Sequence, residues 1–228
     1  MDHSAWFSLW LSTKVAVTST FFVVIIGTFI GWILARKNFP GKDLLDVFLT
    51  LPIVLPPTVT GYYLLLLLGK NGVIGSLIYK YTGYTILFTW HAAVLASFTV
   101  SLPLMIKTAR SSFESVDINY LEISSILGYS EFETFRTVLI PIAKKGLIAG
   151  GILSFARAAG EFGATLMIAG NIPSRTDTMP IMIYSTVSSG EWDKAHHLVL
   201  IFSLFSFVIL YVSQKVLRKN NGFKGNIF

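Results

Sequence analysis

The sequence predicts an all-α integral membrane protein, a single domain with five transmembrane helices, and three observations lead there. Hydrophobic residues fill 53% of the 228 positions. Charged residues make up only 13%, against roughly 25% in soluble domains. The charges are also clustered, which leaves uncharged intervals of the ~18 or more residues that a spanning helix needs. Cysteine is absent, so a disulfide framework and a thiolate metal site are both excluded. In such a chain a net charge of +6 reads as an orientation signal rather than a nucleic-acid footprint.

Five intervals are long enough to cross: residues 15–35, 47–69, 81–106, 146–169 and 195–214. The first exceeds the apolar core of a secretory signal, about 7–15 residues, and no small-residue cleavage site follows, so it is expected to remain as an anchor. The second carries Pro52, Pro56 and Pro57, each of which removes a backbone donor. Two readings stay open there: a packing kink, or a broken helix lining a pathway with Thr58 and Thr60 serving the freed carbonyls. The third holds His91, read as a hydrogen-bonded packing residue. The fourth contains Arg157 and Glu161, a charged pair at i and i+4 whose side chains share one helical face. Such a pair is either a structural ion pair between helices or a polar gate. A further uncharged stretch, residues 178–190, is short and holds Pro180, and reads as re-entrant or interfacial.

Counting basic residues orients the chain. With the N-terminus outside and the C-terminus inside, twelve of the eighteen Lys and Arg fall on the cytoplasmic side, including Lys107, Arg110, Lys144, Lys145 and Lys224. Five fall outside, and Arg157 lies within a span. The longest loop, residues 107–145, is too short for a second soluble domain.

That loop is organised. Val116, Tyr120, Ile123 and Leu127 recur at helical spacing, with Asp117 or Ser115 as N-cap and Gly128 at a left-handed C-terminal position, so a short helix is expected to end at Leu127. Ser130-Glu131-Phe132-Glu133 reads as a capping box that starts a second helix running to Pro141. On physics alone this is a helical hairpin on the membrane surface. Gly27-x-x-x-Gly31 and Gly146-x-x-x-Gly150 permit close helix approach, within this subunit or to another.

The segment Glu122-Ile-Ser-Ser-Ile-Leu-Gly128, then nine residues, then Val138-Leu-Ile-Pro141, resembles the EAA loop of bacterial ABC importer permeases. Glu, Gly and Pro fall in register, while Ile123-Ser124 replaces the alanine pair and Val138-Leu139-Ile140 the terminal I-x-L. Phe39-Pro-Gly-Lys-Asp-Leu-Leu-Asp46, Leu51-Pro-Ile-Val-Leu-Pro-Pro-Thr-Val-Thr-Gly61, Phe155-Ala-Arg-Ala-Ala-Gly-Glu-Phe-Gly-Ala-Thr165 and Asn171-Ile-Pro173 extend the likeness. Together they resemble the molybdate permeases over residues 14–183, and the sulfate permeases around Arg157 to Pro173.

The resemblance implies a type I ABC importer permease fold in the bacterial inner membrane, working as a homodimer with the path at the dimer interface. It implies a molybdate or tungstate cargo received from an external oxyanion-binding protein. It also implies that the loop docks an ATPase subunit through Glu122, Ser125, Leu127, Gly128 and Tyr129, and that Pro56, Pro57, Arg157, Glu161 and Gly163 belong to the path or gate. No G-x-x-x-x-G-K-[ST] phosphate cradle occurs in the chain. The subunit is therefore expected to be no enzyme and to hold no cofactor of its own, ATP and Mg²⁺ being bound by the partner. A secondary transporter would need coupling-ion acids, and Glu161 is the one acid in a span; a membrane enzyme would need clustered His, Asp or Glu.

Overall fold

The computed structural model describes residues 3–219. The helices in chain order are α1 (His3–Arg36), α2 (Lys42–Val54), α3 (Pro57–Leu68), α4 (Val73–Thr82), α5 (Trp90–Glu114), α6 (Ile118–Ile126), α7 (Glu131–Thr134), α8 (Ile140–Ala159), α9 (Gly163–Ala169), α10 (Met179–Ser188) and α11 (Trp192–Lys219), with a π-helical turn, Phe135–Leu139, joining α7 to α8. No strand occurs among the described residues. Four helical stretches are long and apolar enough to cross a membrane: α1, α5, α7 through α8, and α11. The pair α2 and α3 would add a fifth, bent by 117° at Leu55-Pro56.

The hub is α5, packed against α1, α8 and α9. Both small-residue pairs serve this packing within the subunit. A Cβ on Gly27 would stand 2.7 Å from Met105, and one on Gly31 2.7 Å from the Ala109 Cβ. From α8, Gly146 abuts Ser112 and Gly150 approaches the sulfur of the same Met105. With no hydrophobic drive between helices in lipid, such backbone proximity supplies the contact. Hydroxyls add to it: Ser97 donates to the Ala158 carbonyl and Ser154 to the Ser101 carbonyl, each at 3.4 Å.

Several limits depart from the sequence reading, each for a local reason. The first helix starts at His3 rather than residue 15, because Ala5, Ser8, Leu11 and Ser12 are buried against the rest of the fold. The interval 81–106 is helical only from Trp90; Gly83 ends α4 in a left-handed turn (φ 67°), and residues 83–89 form a loop whose Phe88 amide bonds the Ile168 carbonyl. The interval 146–169 breaks after Ala159, and Glu161 sits in the break. Pro141 does not end the second loop helix. It stands in the first turn of α8, just after the π-helical turn, and the chain runs on to Ala159. Widening the turn before Pro141 relieves the clash that its ring would make with the carbonyl four residues back. Residues 178–190 hold a ten-residue helix, α10, too short to cross. Lys224, counted with the inner basic residues, lies outside the described residues.

Candidate functional site

The loop between α5 and α8 presents an apolar face to solvent. Asp117 caps α6 by accepting from the Asn119 amide at 3.0 Å. At its other end the Tyr129 amide bonds the Ser124 carbonyl and the Gly128 amide the Ser125 carbonyl, a Schellman closure with Gly128 at φ 83°. The predicted capping box is present: the Glu133 amide donates to Ser130 Oγ at 3.3 Å and the Ser130 amide to Glu133 Oε2 at 2.8 Å. Ser124 is the sole buried residue of α6. It meets the Thr134 hydroxyl at 2.7 Å, so the two short helices are pinned at one point. Ile126 and Leu127 are 83% and 68% exposed, and Ile118, Tyr120, Ile123, Tyr129 and Phe132 join them on the surface. Glu122 is exposed, and Ser125 donates to its carbonyl at 2.7 Å.

Sequence reasoning missed what holds this loop to the membrane helices. Arg36, at the end of α1, donates from one guanidinium nitrogen to the carbonyls of Phe113 and Val116, the last turn of α5 and the joint before α6. A cation on these carbonyls suits both their unmet acceptors and the negative end of the helix dipole. Trp32 packs tilted against Phe135 with ring centroids 4.6 Å apart, Phe135 meets Phe113 at 5.9 Å, and Lys37 pairs with Glu131. Asp46 of α2 binds Lys107 at 2.8 Å and Arg110 at 2.9 Å, and Arg110 also reaches Glu114. The one sequence signal was the basic residue in α1's last turn; its partners lie too far along the chain to be read.

The second group of residues meets where α3 and α9 cross. Pro56 is the extended residue at the break and Pro57 opens α3. A Cβ on Gly163 would stand 3.0 Å from Pro57 Cβ, and one on Gly61 2.9 Å from the Ala164 Cα, so the helices touch backbone to backbone. Glu161, 1% exposed at its side chain, pairs with Arg157 at 2.8 Å through Oε2. Its Oε1 accepts from the Ala164 amide at 2.8 Å and so caps α9. The structure thus brings Pro57, Gly163, Glu161 and Arg157 into one cluster. Thr60, expected to serve proline-freed carbonyls, is buried with its hydroxyl unpartnered.

At the opposite end from α6, Ser8 of α1 donates to the Asp177 carboxylate at 3.3 Å, and the Met179 amide donates to Ser12 at 2.7 Å. Burial pushes the Asp177 carboxyl above the usual carboxylate range, while the amides of Ser174, Arg175 and Asp177 pull the other way. No group of three or more metal-ligating His, Cys, Asp or Glu occurs among the described residues.

Comparison with known families decides the class. The family described as "Binding-protein-dependent transport system inner membrane component" matches residues 27–220. The chain belongs to this family. It is accordingly a multi-pass inner-membrane protein of a transport system, in keeping with its apolar helices. The molybdenum transport system permease protein ModB of Haemophilus influenzae is 39% identical over 221 residues, covering 95% of this chain and 96% of the relative. The sulfate transport system permease protein CysT of Salmonella typhimurium is more distant, 32% identical over 86% of this chain and 70% of its own. Among solved structures, the methionine ABC transporter MetNI in an inward-facing form superposes with a TM-score of 0.72 at 15% identity, covering 96% and 99% of the two chains. This shows that the fold is shared.

Proposed function

We propose that this chain is the permease subunit of an ABC importer that moves a tetrahedral oxyanion, molybdate or tungstate, into the cell by alternating access. The observation that carries the reading is 39% identity along nearly the full length of a molybdenum permease, against 32% and lower coverage for a sulfate permease. An exposed apolar α6 with a single buried residue supports docking of an ATP-hydrolysing subunit, with Glu122, Ser125, Leu127, Gly128 and Tyr129 at the joint. ATP and Mg²⁺ then belong to that partner. The family's dependence on a binding protein supports an external oxyanion-binding partner. A homodimer agrees with α2, which buries no residue within the subunit, and with the largely exposed α11.

In this reading α2 and α3 form one broken crossing, five crossings result, and the N-terminus lies outside with the coupling loop and C-terminus inside. The cluster of Pro56, Pro57, Arg157, Glu161 and Gly163 forms part of the path or gate. Few cations face the interior, which suits a dianion that must leave as readily as it enters. The test is copurification and uptake: the tagged permease should bring down a separate ATPase, and uptake of labelled molybdate should be competed by tungstate far better than by sulfate. Sulfate competing equally would move the assignment to the sulfate branch. Labelling of a cysteine at the exposed position 123 from outside intact cells would reverse the topology.

A further inference from the structure

Between α1 and α8 runs an open apolar groove of about 560 Å³, walled by Val24, Phe29, Leu147 and Ile148 and floored at one end by Phe135 of the π-helical turn. Lys144 is the one charged residue among its described lining. Its ammonium is exposed and has no carboxylate partner among the described residues.

The depth of Lys144 follows from the packing. Along α8, Gly146 abuts Ser112 and Gly150 abuts Thr108 of the antiparallel α5, so Lys144 comes level with Glu114 at the end of α5, on the loop side of the Asp46, Lys107 and Arg110 ion cluster. That is the polar rim of the helix bundle. Leu147, Ile148 and Gly151 then follow along α8 toward the bilayer centre, where Gly151 stands opposite Val24. A cation at the rim and an apolar channel leading inward from it match a phospholipid in orientation as well as in charge: phosphate at the rim, acyl chain along the groove. Basic pockets between transmembrane helices hold anionic headgroups on the same grounds.

We propose that this groove is a binding site for one anionic phospholipid, its phosphate on Lys144 and an acyl chain lying between α1 and α8 toward Gly151. The site needs only that these helices stand in a bilayer; its placement in the inner leaflet rests on the orientation proposed above. Because Phe135 floors the groove and also packs on Trp32 and Phe113, the lipid would brace the wall that supports α6.

The test uses the purified full-length protein in mixed detergent and lipid, titrated with phosphatidylglycerol or phosphatidylcholine while thermal unfolding is followed. Phosphatidylglycerol should stabilise the parent saturably, and Lys144→Gln should weaken its half-saturation by about fivefold, the weight of one basic residue at a lipid surface. Gly151→Leu, which fills the groove without touching charge, should weaken it as well. Lys145→Gln, outside the lining, should not. Equal stabilisation by both lipids, an unchanged titration in Lys144→Gln, or the same shift from inorganic phosphate alone would overturn the site. Failure of the oxyanion assignment would leave these titrations unaffected, so the two readings fall separately.

Discussion

Replacing Arg157 with Met should destabilise the protein far more than replacing Glu161 with Gln, although each removes the same ion pair. The asymmetry comes from burial: the Glu161 side chain is 1% exposed and that of Arg157 32%. In Arg157→Met a carboxylate remains in the interior with only the Ala164 amide to answer it. Breaking a buried pair this way costs about 3–5 kcal/mol, roughly two to four decades in the folding equilibrium. In Glu161→Gln the amide oxygen still caps α9 and can still accept from the guanidinium, which is a third exposed rather than enclosed, so a loss of about 1–2 kcal/mol is expected. Combining Arg157→Met with Glu161→Gln should recover most of the difference, because no unpaired charge is left. Glu161→Leu would be a poorer probe, since it strips the cap from Ala164 as well. Thermal unfolding of the four variants beside the parent measures the order, and molybdate uptake separates structure from pathway. Arg157→Met melting with the parent, or Glu161→Gln melting below Arg157→Met, would refute the burial argument. A stable, fully active double variant would exclude a direct role for the charges in transport.

Three further outcomes follow from the same geometry. Gly128→Val forces a β-branched residue to φ 83°, a strain of about 1–3 kcal/mol with no steric clash around it, and Glu122→Lys reverses an exposed charge; both should insert normally yet lose uptake, and normal uptake with coupled ATPase activity in both would remove the docking assignment. Arg36→Ala takes the guanidinium from the carbonyls of Phe113, which keeps the Val116 amide as a donor, and of Val116, a loss of about 1–3 kcal/mol if the Val116 carbonyl stays buried; the ATP consumed per anion moved should rise, Arg36→Lys should restore it only in part, and an unchanged ratio would show that α1 does not steady the joint. The raised Asp177 carboxyl means that the folded chain binds a proton more tightly than the unfolded one, so this group's contribution to stability is greatest in acid and is lost as pH rises through the raised value; Asp177→Asn should flatten that slope in pH-dependent unfolding, and an unaltered slope would locate it elsewhere.

How much of this was legible in the sequence depended on the range of the interactions. The capping box at Ser130 and the left-handed Gly128 are local, and both stand as read. That α1, α5 and α11 are long and apolar enough to cross followed from uncharged length, although α1 and α5 begin elsewhere than that length placed them. The breaks did not, because hydropathy measures composition: residues 83–89 and the Gly160 to Phe162 break carry no Lys or Arg that would set them apart from an apolar helix. Proline marked the bend at Leu55-Pro56 but misled at Pro141, where a wider turn absorbed it. Among the site residues, Arg157 and Glu161 announced themselves by spacing, while the second bond of Glu161, to Ala164, needed a helix break that no charge pattern signals. Arg36 and Asp46 find their partners more than sixty positions away. Nothing nearby in the chain distinguishes them from ordinary interfacial charges.

The turn at Phe135–Leu139 has a consequence for how the loop is aimed. A π-helical turn holds one residue more than an α-helical one, and each residue of an α-helix advances the azimuth by about 100°. Everything ahead of Phe135 therefore points about a quarter-circle away from where a plain α-helix continuing α8 would send it. Deleting a single residue there, such as the exposed Thr137, would turn α6 away from its present direction and also return the Pro141 ring to the clash that the wide turn relieves. The nine-residue spacing from Gly128 to Val138 is thus a setting of direction as much as of length.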